Sequence, residues 1–272
     1  MDALTNILIG ISGIGWTTVY LVIIYRGFKD KASGMPLIAL GLNISWEFLF
    51  SIVFPSPRPI QQVANLVWFC FDVVIVVQKF MYGRKEFRKS LPGLPDALFY
   101  WNAVGALAIS FGAVYLSALD WNDDNGKYSA YLMNVLVSFA FISMLQRTQS
   151  LEGQSIYVGV GKFLGTLSPT ILATLEWSQS GEFRLLPFLG LVCFVYDIAY
   201  IVLLVRQYRR EGLTVLTRRP VADAEHRPAS RDTMVSAVAP DAPGPRGTEQ
   251  EEAEPAGPAL VDQSIREERA HE

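Results

Sequence analysis

Apolar residues fall into seven runs, at about 5–25, 36–54, 62–80, 97–119, 128–146, 155–175 and 185–205, separated by short polar connections. Each run approaches the ~20 residues that cross a bilayer as a helix, so the pattern predicts an all-α membrane protein built as a seven-transmembrane-helix bundle. The connections are too short to fold as soluble domains. Any chemistry must therefore sit within or between the helices. Beyond Gly212 the pattern stops, and Ala, Pro, Arg and Glu dominate (APDAPGPRGTEQEEAEPAGPA). Such a stretch has too few large apolar residues to offset the entropy of ordering. The expected organisation is a bundle over 1–210 and a disordered tail over 211–272, with a short helix expected over 259–272.

Charge sharpens this division. Of the 49 charged residues, 26 lie in 1–205 and 23 in the remaining 67 positions, so the net charge of −3 describes the tail more than the bundle. Arg26, Lys29, Lys31, Lys79, Arg84, Lys85, Arg88, Lys89, Arg147, Arg206, Arg209 and Arg210 fall on one side of the membrane, and Arg58, Lys127 and Arg184 on the other. This bias predicts a multi-pass protein with its N-terminus outside and its C-terminus in the cytoplasm. No basic patch suits nucleic acid. Cys70 and Cys193 lie in apolar runs and read as small hydrophobes. Both histidines, His226 and His271, are in the tail. The bundle thus offers no imidazole for metal binding or proton shuttling, and no metal or cofactor is expected.

The second run, GMPLIALGLNISWEFLFSIVF, carries Asn43, Trp46 and Glu47 near its middle. A carboxyl group at that depth costs several kcal/mol unless it is paired, protonated or facing a cavity. From a rise of ~1.5 Å per residue, Glu47 lies ~16 Å from the cytoplasmic end, and Asp72, Lys162 and Asp197 lie ~11–12 Å deep. Four ionisable groups on four helices are thus expected at one level. Asn43 and Glu47 share a helix face, as do Asn65, Trp68 and Asp72, and as do Asp197 and Tyr200. A buried ion-pair network that fixes packing would also explain the four charges. Gly161, Gly165 and Ser168 form a small-residue stripe that predicts close helix packing. Asp120, Asp123 and Asp124 beside Asn125-Gly126 suit a turn and a helix cap rather than a magnesium site.

The opening Gly-x-Gly-Trp, the YRGFKD segment, Gly34-Met35, and above all Asn43-Ile44-Ser45-Trp46-Glu47 resemble the integral membrane terpene cyclases of indole-diterpene and meroterpenoid pathways, the paxilline-type cyclases. FVYDIAY, with Asp197, is similar to that family's second acidic position. The resemblance spans the seven helices and stops near Arg210. It implies that Glu47 and Asp197 are the catalytic acids; Asp72, Lys162 and the long tail are not part of the family's pattern. The tail's Ala/Pro/Arg composition points to a high-GC bacterial source, hence a plasma membrane location and an indole or other prenylated aromatic substrate.

The residues allow a corresponding mechanism. Polyene cyclisation without loss of diphosphate begins when an alkene or epoxide is protonated, which requires a carboxylic acid kept neutral in a dry site, and Glu47 fits. The ensuing cations need π faces, which Trp46, Trp68, Tyr196 and Tyr200 can supply, while Asn43, Asn65, Asp72 and Lys162 complete the expected substrate site. Asp197 is the candidate base, or else the group that holds the acid's proton. The expected partners are the lipid bilayer and a lipophilic prenylated small molecule. The alternative is a small-solute transporter with a 3+1+3 repeat, because Asp72 and Asp197 occupy similar places in the third and seventh helices.

Overall fold

The computed structural model describes residues 3–123, 125–181 and 184–221. They belong to one compact unit. The chain forms α1 (Ala3–Asp30), α2 (Leu37–Phe48) continuing into a π-helical turn (Leu49–Val53), α3 (Pro59–Ser90), α4 (Asp96–Asp120), α5 (Lys127–Thr148), α6 (Ile156–Ser180) and α7 (Leu185–Arg210). Six of these helices are long and apolar enough to cross a membrane; the Leu37–Val53 helix is shorter. Among the described residues there is no strand, only an isolated bridge between Leu213 and Pro220. The seven-helix expectation holds, with two adjustments. The third helix runs ten residues past the apolar segment, because Met81–Ser90 is polar but still helix-forming. The second is interrupted by the π turn.

Polarity is arranged for lipid rather than water. Leu21, Val73, Trp101, Ile109, Leu191 and Val195 are exposed, whereas Asn43, Glu47, Asp72, Ser138, Lys162 and Asp197 are buried. In hydrocarbon the outer surface gains nothing from being polar, and interior polar groups must find partners inside the bundle.

α1 packs on α6 and α3, α2 on α3, α4 and α5, and α7 on α5 and α6. Glycines set the α1–α6 contact. A Cβ on Gly15 would stand 2.8 Å from the Gly161 oxygen, and one on Gly161 would stand 2.9 Å from the Gly15 oxygen. A side chain at either place would therefore push the backbones apart. Pro169 lies inside α6 and has no N–H to offer the Gly165 carbonyl one turn earlier. Ser12 Oγ of α1 donates to that oxygen at 2.8 Å. The same helix pair thus repairs the gap that its proline creates.

The π turn is satisfied in the same way from α3: Asn65 Nδ2 donates to the Phe50 carbonyl at 3.1 Å, and Gln62 Nε2 donates to the Ser51 carbonyl. Asp123 caps α5, accepting from Ser129 N at 2.8 Å and Tyr128 N at 3.2 Å, as the Asp-rich loop predicts. Cys70 is exposed, Cys193 is buried, and neither is in a disulfide. After α7, residues 211–221 do not behave as a tail. Val221 N bonds the Gly212 carbonyl, Thr214 N bonds the Arg219 carbonyl, and Arg218 pairs with Asp30 at the end of α1 at 2.7 Å. The expected tail from 222 onward, including the 259–272 segment, lies outside the described residues.

Candidate active site

The four intramembrane charges are divided into two pairs on either side of α1. The first joins α2 and α3 through Tyr20 of α1. Its hydroxyl lies 3.4 Å from Glu47 Oε1 and 3.4 Å from Asp72 Oδ2, and accepts from Asn43 Nδ2 at 2.7 Å. Glu47 is 5% exposed and Asp72 is fully buried. Glu47 Oε2 and Asp72 Oδ1 have no hydrogen-bond partner, and neither carboxyl has an ion-pair partner among the described residues. Trp68 stacks on Tyr20 with ring centroids 6.2 Å apart, and its indole N–H donates to Thr17 Oγ1 at 3.1 Å. Asn43 and Glu47 reach this cluster together because they are one helical turn apart, as their spacing predicts.

The second pair joins α6 and α7 through α5. Lys162 Nζ lies 3.4 Å from Asp197 Oδ1, 3.1 Å from Ser138 Oγ and 3.3 Å from Asn134 Oδ1; Ser138 Oγ donates to the same Asp197 oxygen at 2.8 Å. The ammonium group also lies over the rings of Trp16, at 5.3 Å, and Phe141, at 5.7 Å. An ammonium buried this fully survives because a carboxylate, two acceptors and two π faces replace its water. Asp197 Oδ2 has no hydrogen-bond partner among the described residues. Asn134 Nδ2 donates to Thr166 Oγ1 at 2.6 Å. Thr166 lines a cavity of about 270 Å³ between α6 and α7, together with Phe163, Thr170, Gly190 and Phe194.

This geometry sets a carboxyl pair without a cation beside an ion pair that holds its own, both buried among aromatic rings in a helix bundle. Residues 1–210 match the Pyr4-like transmembrane terpene cyclases. The chain belongs to that family. It is therefore a membrane terpene cyclase, and the transporter reading is displaced. The chain is 27% identical to terpene cyclase pyr4 of Aspergillus fumigatus over 73% of its own length and 85% of that protein's. It is 30% identical to the Pyr4-family terpene cyclase mfmH of Annulohypoxylon moriforme over 70% and 80% respectively, and 27% identical to asnovolin H synthase nvfL of Aspergillus novofumigatus over 65% and 72%. No solved structure matches it.

Other residues expected at the site lie outside these two clusters. Trp46 adjoins Glu47 in sequence but projects from another face of α2; its indole N–H reaches Ser129 Oγ at 3.1 Å and the Gly126 carbonyl at 3.3 Å, and its ring packs on Phe50 at 4.8 Å. Asn65 lies two turns from Asp72 and is committed to the π turn. Tyr200 is buried against Phe141, but its hydroxyl donates to Gln154 in the α5–α6 loop at 3.1 Å. Tyr196 is half-buried, edge-on to the lipid-exposed Phe139 at 6.0 Å. Conversely, Tyr20, Trp16, Asn134 and Ser138 are in the two clusters and were not expected there. Asn134 and Ser138 are four residues apart on α5, a polar spacing that marks a shared face.

Proposed function

We propose that this terpene cyclase acts on a lipophilic prenylated aromatic, an indole among the candidates, and that Glu47 starts the reaction by protonating an alkene or epoxide of the prenyl chain. The observation that supports this reading is that Glu47 has no ion-pair partner among the described residues, with Oε2 unbonded there, while Asp197 has Lys162. A proton donor must be neutral, and two carboxyls buried together without a cation cannot both be ionised, so the Glu47–Asp72 pair holds a proton to give. The O–H bond of Glu47 breaks as a C–H bond forms at an alkene, or an O–H bond at an epoxide. Successive π bonds then close as C–C bonds, and the last cation loses a proton. Asp197, kept anionic by Lys162 and Ser138, is the proposed acceptor through Oδ2. Exchange with water between turnovers restores both carboxyls.

Trp68, beside the carboxyl pair, is the ring proposed to stabilise the intermediate cations. The α6–α7 cavity is at the low end of ligand-site volumes, enough for part of a prenyl chain entering sideways from lipid. The charge bias of the loops supports an N-terminus outside and a C-terminus in the cytoplasm.

Deuterium oxide tests proton initiation. Membranes containing the full chain, given a farnesyl-substituted indole with its alkenes intact, should release an isomer carrying one carbon-bound deuterium at the initiating end. With the terminal epoxide, the deuterium enters a hydroxyl and washes out. A cyclised alkene product with no carbon-bound deuterium would rule out initiation by an exchangeable acid.

A further inference from the structure

The cluster around Tyr20 can be counted proton by proton. A tyrosine hydroxyl has one proton to give and two lone pairs that accept. Asn43 Nδ2, at 2.7 Å, occupies one lone pair. Two carboxyl oxygens, one from Glu47 and one from Asp72, stand at the same 3.4 Å from the hydroxyl, and its single proton serves only one of them. The other carboxyl faces a lone pair, which is favourable only for an O–H. Two anions here would leave one unsatisfied against an oxygen and, with no ion-pair partner for either among the described residues, would repel each other in a low-dielectric interior. If both acids were protonated, the one accepting from Tyr20 would do so through its C=O and would carry its own O–H on an oxygen that has no partner among the described residues, so one proton is the count at which every O–H finds an acceptor.

We infer that Glu47, Tyr20 and Asp72 form a one-proton unit: Glu47 O–H donates to the Tyr20 oxygen, and Tyr20 O–H donates to an Asp72 carboxylate. The placement of the proton on Glu47 rests on the function proposed above; the count of one rests on the hydrogen bonds. Asp72 is then a positioning residue. By drawing the hydroxyl proton toward itself, it presents Glu47 with a lone pair, which holds the acid in its protonated form until the substrate arrives. Tyr20, packed under Trp68 and Phe71, fixes the direction of that contact. When Glu47 gives up its proton, the new positive charge on the substrate appears beside two carboxylates, a favourable counter-charge for the first cation. Asp197 stands apart from this unit because its charge is already matched by Lys162.

Infrared spectroscopy of the full chain in lipid nanodiscs, without substrate at neutral pH, reads the proton directly through the C=O stretch of a protonated carboxyl, identified by its shift in deuterium oxide. One such band is expected from this unit, lost in Glu47→Gln, retained in Asp72→Asn and unaffected by Asp197→Asn. In Glu47→Gln the amide N–H takes the place of the acid O–H, so Asp72 stays ionised. In Tyr20→Phe the band should persist and move to higher wavenumber as its hydrogen bond disappears, and turnover of the farnesyl indole should fall roughly 10- to 100-fold in kcat with little change in KM. Circular dichroism confirms that each variant is folded. A band halved in both Glu47→Gln and Asp72→Asn would mean two protons, overturning the one-proton unit but leaving Glu47 as the acid. Loss of the band only in Asp72→Asn would move the proton and overturn the assignment. A wild-type spectrum with no band would overturn both this unit and the neutral acid on which the proposed function depends. An unshifted band in Tyr20→Phe would remove the tyrosine from it.

Discussion

Four charges in apolar helices are visible in the sequence, but what each does depends on its partner. Glu47, Asp72, Lys162 and Asp197 stand out because a charge inside a spanning segment is rare and costly. Their division into pairs does not show, because it depends on Tyr20, Asn134 and Ser138, neutral groups that are common in membrane helices and carry no such signal. The depth count left Lys162 free to pair with the third or the seventh helix; the structure pairs it with Asp197 at 3.4 Å. Both members are fully buried, so removing one strands a charge, at a cost of about 3–5 kcal/mol. Lys162→Met should therefore lower stability by that order in unfolding measurements in micelles, and Lys162→Met with Asp197→Asn should recover most of it. A double variant as unstable as the single one would show that the pair is not what holds these helices together.

At the scale of helices, the Gly-x-Gly-Trp opening and the Gly161/Gly165 stripe are two halves of one contact. The small-residue spacing announces close packing, yet the partner of α6 is α1, about 150 positions away in sequence, which no local pattern reveals. Gly161→Val would press against the Gly15 oxygen and Val19, and should destabilise the bundle by roughly 1–3 kcal/mol, read as a lower yield of folded protein and a lower unfolding midpoint. Unchanged stability would mean that the two helices can separate without loss. The α2 π turn is equally hidden in sequence, since LFSIV reads as a continuous apolar run. It becomes intelligible once α3 supplies Gln62 and Asn65. Asn65→Ala leaves the Phe50 carbonyl without that donor in a dry interior, for an expected cost of about 1–3 kcal/mol. A neutral effect would mean that the turn finds another donor.

For the whole molecule, composition marks the end of the bundle near Arg210, but the chain goes on to bridge Leu213 with Pro220 and to tie Arg218 to Asp30. A polar stretch of eleven residues looks like a tail until its ion-pair partner at the end of α1 is known. Truncation after Val221 should leave stability and cyclisation intact, whereas truncation after Arg210 should lower the unfolding midpoint by a few degrees, as expected for about 1 kcal/mol in a protein of this size. Equal midpoints for the two truncations would mean that residues 211–221 add nothing to the stability of the bundle. Glu47 is proposed to deliver the initiating proton within a bundle that stays otherwise unchanged. The most direct test is Glu47→Gln, which keeps the size and hydrogen bonding of the side chain but has no transferable proton. Membranes carrying this variant, given the farnesyl indole and analysed by mass spectrometry with chromatographic separation of isomers, should contain folded, inserted protein and only unreacted substrate, where the unaltered chain yields a cyclised isomer of the same mass. Cyclised product at a near-normal rate from Glu47→Gln would contradict the claim.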